Sequence, residues 1–115
     1  MSAEEIRRVE APTCVVTVYI AGEYADAVAS LRRQCLEDGL CVTVTPTTFV
    51  YTGGAETGVA VGFINYPRFP KPSVEIEARA IAVAERLMRD LCQLSASVVG
   101  PTSTVWLTRR KEDAK

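Results

Sequence analysis

The sequence contains no histidine. That absence removes the commonest general base near neutral pH and the usual partner of a nucleophilic serine or cysteine. No Ser-His or Cys-His pair can be built. The catalytic signatures H-E-x-x-H and G-x-S-x-G, a Walker loop and a dinucleotide fingerprint are also missing. The four cysteines, Cys14, Cys35, Cys41 and Cys92, include no C-x-x-C pair. With no imidazole to complete a zinc set, they read as reduced, buried, small hydrophobes. No metal and no cofactor is expected. The apolar runs are too short for a membrane-spanning helix, and Met1-Ser2-Ala3-Glu4-Glu5-Ile6-Arg7-Arg8 lacks a signal-peptide core. A cytoplasmic location in the host cell is expected. Excess charge is missing too: 13 Lys and Arg face 14 Asp and Glu, a net −1. Bulk nucleic-acid binding, which needs many cationic phosphate contacts, does not fit.

What is present suits one domain. The 115 residues are 48% hydrophobic and 23% charged, enough apolar matter for a core and too little charge excess for disorder. Residues 1–12 read as a flexible leader, 13–110 as a single α/β ligand-binding domain and 111–115 as a polar tail. Within the domain, 13–20 (TCVVTVYI) predicts a strand from its β-branched content. A helix follows over 23–38, with Ala25, Val28, Leu31, Cys35 and Leu36 as its apolar stripe and Gly39 as its left-handed stop. The alternation in 40–45 predicts a second strand that Pro46 ends or kinks at an edge. Residues 47–52 and 59–65 predict two more, with Gly53-Gly54 as a hairpin reversal rather than a phosphate-cradling loop. Ser73 offers a helix N-cap, and the helix runs to about residue 93. Segments 95–99 and 104–108 form a terminal hairpin around Gly100-Pro101. The order is β-α-β-β-β-α-β-β: an α+β fold, an antiparallel or mixed sheet with two helices on one face. Parallel pairing is expected only where a helix crosses over, as from strand one to strand two.

The second helix carries a broad apolar arc widened by Ala78, Ala80, Ala82 and Ala84. It predicts a homodimer or higher homo-oligomer through that helix, against the alternative of thorough burial in a monomer.

The segment Asn65-Tyr66-Pro67-Arg68-Phe69-Pro70-Lys71-Pro72 carries the most chemistry. Its prolines stiffen it, so a ligand would order little on arrival. Its rings can stack on a base, and a guanidinium can grip phosphate. The alternative is a connection whose rings cover the core. Asn65, Tyr66, Arg68, Phe69 and Lys71 are the candidate ligand-binding residues, joined by Arg109 after the last strand and Tyr51 beside the diglycine. Trp106 reads as core. Glu75, Glu77, Glu85 and Asp90 read as helix-end or solvated charges, and no catalytic residue is assigned.

The run from Leu40 through Lys71, with its N-Y-P-R-F-P motif, and the later V-W-L-T-R-R resemble the first-described phage Thoeris anti-defence family over about residues 13–110. That resemblance implies a small α/β sponge, dimeric or ring-forming, that sequesters a cyclic nucleotide second messenger of the cyclic ADP-ribose type without cleaving it. Arg68 and Arg109 would grip phosphates while a base stacks on Tyr66 or Phe69. The expectation is therefore binding without catalysis. A protein-binding adaptor or minor structural phage protein is the alternative from another class, and a carboxylate-only hydrolase the enzymatic one.

Overall fold

The computed structural model describes residues 4–111. Its elements are β1 (Val15–Ala21), α1 (Tyr24–Asp38), β2 (Thr43–Tyr51), β3 (Gly54–Ile64), α2 (Ser73–Asp90), β4 (Ser95–Val99) and β5 (Thr104–Thr108). The strands form one sheet in the order β2-β3-β1-β4-β5, with every neighbouring pair antiparallel. The α+β class and the two helices on one face are as the sequence predicts. No parallel pair forms at the crossover. β1 and β2 run the same way, but β3 lies between them, and β1 likewise separates β3 from β4. This is the split β-α-β-β-α-β arrangement with β5 added at one edge.

Five strands replace the six expected because 40–45 and 47–52 are not two strands. Thr43 to Tyr51 pairs without a break against Gly62 to Gly54, and Pro46 sits opposite Val59 within it. β2 is an edge strand. An edge has one row of backbone groups with no ladder partner, so a proline can be accommodated there. Thr52 and Gly53 make the two-residue turn, Gly53 at φ 91°. The diglycine is thus the predicted hairpin reversal.

Alternation along the central strands builds the core. Val16, Val18 and Ile20 of β1, Val59, Val61 and Phe63 of β3, and Ala96 and Val98 of β4 are buried on the helix side. Ile76, Ala80, Val83, Ala84, Leu87 and Met88 of α2 pack down onto them. The larger residues of the α2 arc, with Ala80 and Ala84, are therefore covered within one chain by the sheet and by α1, while Ala78 and Ala82 face outward with Glu85 and Arg89. Pro72, not Ser73, is the N-cap, and Ser73 is the first helical residue. The helix stops at Asp90, short of residue 93, because Cys92 turns left-handed at φ 54°.

The face of α1 differs from its apolar stripe. The buried residues are Ala27, Ser30, Leu31 and Gln34, while Leu36 is 89% exposed. The reason lies across the chain on α2. Ser30 Oγ donates to Asp90 Oδ2 at 2.6 Å, and Gln34 Nε2 donates to Ser30 Oγ at 3.1 Å. Arg33 and Arg86 both lie within ion-pair reach of Asp90, and Arg86 is bonded to Glu37. A hydrogen-bonded polar seam replaces an apolar one. Displaced from the core, Val28, Cys35 and Leu36 line an open groove with Val42 and Val44. Gly39 closes α1 as predicted, left-handed at φ 64°, with its N–H on Cys35 O.

Of the cysteines only Cys14 is fully buried. Cys35 is half-buried, and Cys41 and Cys92 are exposed, so the expectation of four buried thiols holds for one. Among the described residues there is no cluster able to hold a metal ion, and no helix is long and apolar enough to cross a membrane. Part of the leader (1–3) and most of the tail (112–115) lie outside the described residues; residues 5–14 form neither helix nor strand.

Candidate functional site

Two recesses lie at opposite ends of β1. The first is the one the sequence points to. The proline-rich loop folds over the end of β3 and encloses a cleft of about 450 Å³ lined by Asn65, Tyr66, Phe69 and Lys71, with Cys41 and Arg79 on its far side. Four of the seven candidate residues therefore converge. Arg68 is close by, its guanidinium 6.0 Å from the centre of the Phe69 ring, within cation–π range.

The polar atoms of this cleft, however, serve the fold. Asn65 Nδ2 donates to Pro12 O at 2.8 Å, and its Oδ1 accepts the backbone N–H of Lys71 at 2.9 Å. One amide thus ties the leader and the loop together. Lys71 Nζ lies 3.4 Å from Glu75. Tyr66 is hydrogen-bonded to Cys41 Sγ at 3.4 Å. That contact, and then burial, raises its hydroxyl above the ordinary phenol range. The remaining two candidates do not join. Arg109 donates from Nη2 to Gln93 O at 2.9 Å and lines a separate hollow beside Met88 and Leu107. Tyr51 stands at the β2–β3 turn, facing Gly54.

The second recess is on the face of the sheet that carries no helix. Register places Phe49 and Glu56 side by side on that face, with Tyr19, Ser97 and Trp106 in one row across β1, β4 and β5. These residues, with Ser95, Cys92 and Arg110, line a recess of about 820 Å³. The size falls in the range of small-molecule sites. Trp106 is 52% exposed and Tyr19 40%, so Trp106 is not core. The sheet is locally shaped for this. A Cβ at Gly58 would collide with the Phe49 ring and sit 2.6 Å from Ile20 O. Only a glycine lets that ring lie across β3, so a bare position on one strand sets an aromatic wall from the next.

Chemically the recess offers three aromatic walls, one carboxylate and one guanidinium. Rings present faces to a base or to a cation. Glu56 suits a positive centre or a ribose diol, and Arg110 suits a carboxylate or phosphate. Sequence reasoning missed Tyr19, Phe49 and Glu56, which come from separate stretches of chain. A signal existed in β3, whose alternate positions read Gly54, Glu56, Gly58, Ala60, Gly62. A central strand with one face so bare leaves room for something to lie on it.

No protein-family model matches the chain, and a search of curated proteins finds no match. Solved structures do match. The chain shares its fold with a phage SAM lyase. Against the apo lyase the TM-score is 0.66 at 15% identity, covering 93% of this chain and 98% of the other. Against the lyase in complex with S-methyl-5'-thioadenosine it is 0.64 at 14% identity, covering 91% and 96%. The likeness is to phage proteins, as the resemblance to an anti-defence family implied, but these neighbours are not Thoeris proteins. Two expectations give way. A sponge that holds a cyclic nucleotide without turnover is not what the fold resembles, and the lack of histidine does not mark the chain as a non-enzyme. The neighbours that overturn both are structures of a lyase.

Proposed function

We propose that this chain binds S-adenosylmethionine (SAM) in the sheet-face recess and breaks it down to S-methyl-5'-thioadenosine. The observation that carries the reading is the fold likeness over more than nine-tenths of both chains, joined to a recess whose aromatic and charged groups suit that substrate. Tyr19, Phe49 and Trp106 supply faces for the adenine ring, where stacking contributes about 1–3 kcal/mol per base. They and Glu56 also suit a sulfonium cation.

The reaction follows from comparing the two molecules. S-methyl-5'-thioadenosine keeps the adenosyl and methyl groups on sulfur, so the bond that breaks joins sulfur to Cγ of the aminocarboxylate tail. The electron pair stays on sulfur, which becomes a neutral thioether. The tail's own carboxylate can attack Cγ, closing a five-membered ring and leaving homoserine lactone. Atoms balance without water or any other reactant. Net charge balances too, because the sulfonium and the carboxylate cancel and the ammonium remains. A step that annihilates opposite charges is favoured when water is excluded, and an aromatic-walled recess promotes it by that means.

Consumption of SAM would take place in the host cytoplasm and would deprive methyl-transferring defence enzymes of their donor. Incubating purified protein with SAM and following products by mass spectrometry tests the reading. Accumulation of S-methyl-5'-thioadenosine supports it, with S-adenosylhomocysteine, which lacks the sulfonium, left intact. SAM recovered unchanged after long incubation overturns it.

A further inference from the structure

The aromatic walls and Glu56 can sense one difference between substrate and product in the reaction proposed above, the sulfonium charge that the neutral thioether lacks. Adenine and ribose are common to both. The second difference is the aminocarboxylate tail, present in SAM and absent from S-methyl-5'-thioadenosine. A site that held both alike would be inhibited by its own product.

Arg110 is the only cation among the residues lining the recess. It follows β5, which together with β4 stands beside β1 on the side away from β3 and Glu56. At about 4.8 Å per strand, the backbones of β3 and β5 are about 14 Å apart. The carboxylate and the guanidinium therefore enter the recess from opposite sides of its aromatic floor. A nucleoside lying across β1 with its base on the rings would direct its tail toward one side or the other. A tail ending in a carboxylate is favoured on the Arg110 side and repelled on the Glu56 side. The two adjacent arginines are not equivalent here. Arg109 is turned to the Gln93 carbonyl, whereas the Arg110 N–H is held by Thr108 Oγ1 at 3.1 Å and its residue faces the recess.

We infer that Arg110 distinguishes substrate from product by the tail, its guanidinium taking the carboxylate of the aminocarboxylate group. The inference rests on the lyase reading of this recess. It gives product release a physical basis. Ring closure consumes the carboxylate, so the charge-assisted bond to Arg110 is lost in the same step that forms product, and neither fragment keeps that hold.

The test uses three ligands that share the adenosyl group. S-adenosylhomocysteine carries the tail without the reactive sulfonium, S-methyl-5'-thioadenosine carries the methylated sulfur without the tail, and SAM carries both. Binding is read by calorimetry or by the fluorescence of Trp106, and SAM by its KM in the cleavage assay. Arg110→Ala should weaken S-adenosylhomocysteine and raise the KM for SAM by about tenfold or more. It should leave S-methyl-5'-thioadenosine within about twofold. Arg110→Lys, which keeps the charge and loses the two-pronged geometry, should fall between. Arg110 lies beyond the last strand and is exposed, so an unchanged circular dichroism melt is expected of both variants. Equal loss for all three ligands, or loss for none, overturns the role of Arg110 while leaving the lyase reading in place. A wild-type protein that cleaves no SAM and binds none of the three overturns that reading, and this inference with it.

Discussion

Gly58→Ala is a single methyl group placed where sheet and candidate site meet. Gly58 pairs with Ala21 on one side and Thr47 on the other. The new Cβ would meet the Phe49 ring and lie 2.6 Å from Ile20 O. The ring can swing away, but the carbonyl belongs to the β1–β3 ladder and cannot. Overpacking of this kind costs about 1–3 kcal/mol. Replacing glycine offsets about 0.4–1 kcal/mol of that through the unfolded chain. A net loss of about 1–2 kcal/mol should lower Tm by about 4–10 °C in a domain of this size. The same change pushes Phe49 off β3, so affinity for S-methyl-5'-thioadenosine should fall as well. A double-mutant cycle with Phe49→Ala separates the two contacts. With the ring gone, the methyl group should cost about 1 kcal/mol less, and what remains belongs to the Ile20 carbonyl. A Gly58→Ala protein that melts within about 1 °C of the wild type would refute the reasoning, because the Ile20 carbonyl could not then lie so close to that glycine.

Three further outcomes are expected. Ser30→Ala removes the acceptor of the buried Gln34 amide and the donor to Asp90, and should cost about 1–3 kcal/mol in urea unfolding; a neutral result would mean the seam between the helices is not built as described. In the native protein a maleimide should modify Cys41 and Cys92 first, with Cys14 protected until denaturant is added, because burial and then the Glu77 charge push its thiol up; mass spectrometry of the adducts reads the order. The hydrogen bond from Arg86 holds the Glu37 carboxyl below its ordinary value. Its contribution is therefore present above the unfolded carboxylate range and is lost as pH falls through the lower folded value, so the Tm gap between wild type and Glu37→Gln should close on going from neutral to about pH 3.

Elements with one clear periodicity were legible in the sequence. β4 and β5 fall where alternation puts them, and α2 needs no partner beyond its apolar arc. α1 was legible as a helix but not in its facing, because Ser30 and Gln34 are buried by Asp90, sixty residues along the chain. Polar residues announce a buried face only when their partners are known. Pro46 reads as a strand end or a kink at an edge, and the sheet order selects the edge, with the strand running on through it. Asn65, Tyr66, Phe69 and Lys71 of the proline-rich loop do line one cleft. What could not be seen is that Asn65 is committed to Pro12 and to the loop itself. The sheet-face recess draws on β1, β2, β3, β4, β5 and Arg110, two residues past β5, so no window of sequence contains it. Trp106, read alone, is an apolar ring; only its register opposite Ser97, itself opposite Tyr19, places it on the helix-free face.

The inference that no histidine means no enzyme fails for a reason specific to the bond in question. Histidine serves catalysis by taking a proton from a nucleophile or giving one to a leaving group. In cleavage of SAM by its own carboxylate neither transfer occurs. The nucleophile is already ionised at neutral pH, and the thioether departs uncharged. The protein's task is then to hold the tail folded, to exclude water and to tolerate the loss of both charges, and aromatic walls with one arginine can do that. With no protein acid or base titrating in the chemical step, kcat should stay flat from about pH 5 to pH 8. A limb within that range would show a titrating group at work, and the account of catalysis by desolvation and folding of the substrate would have to be abandoned.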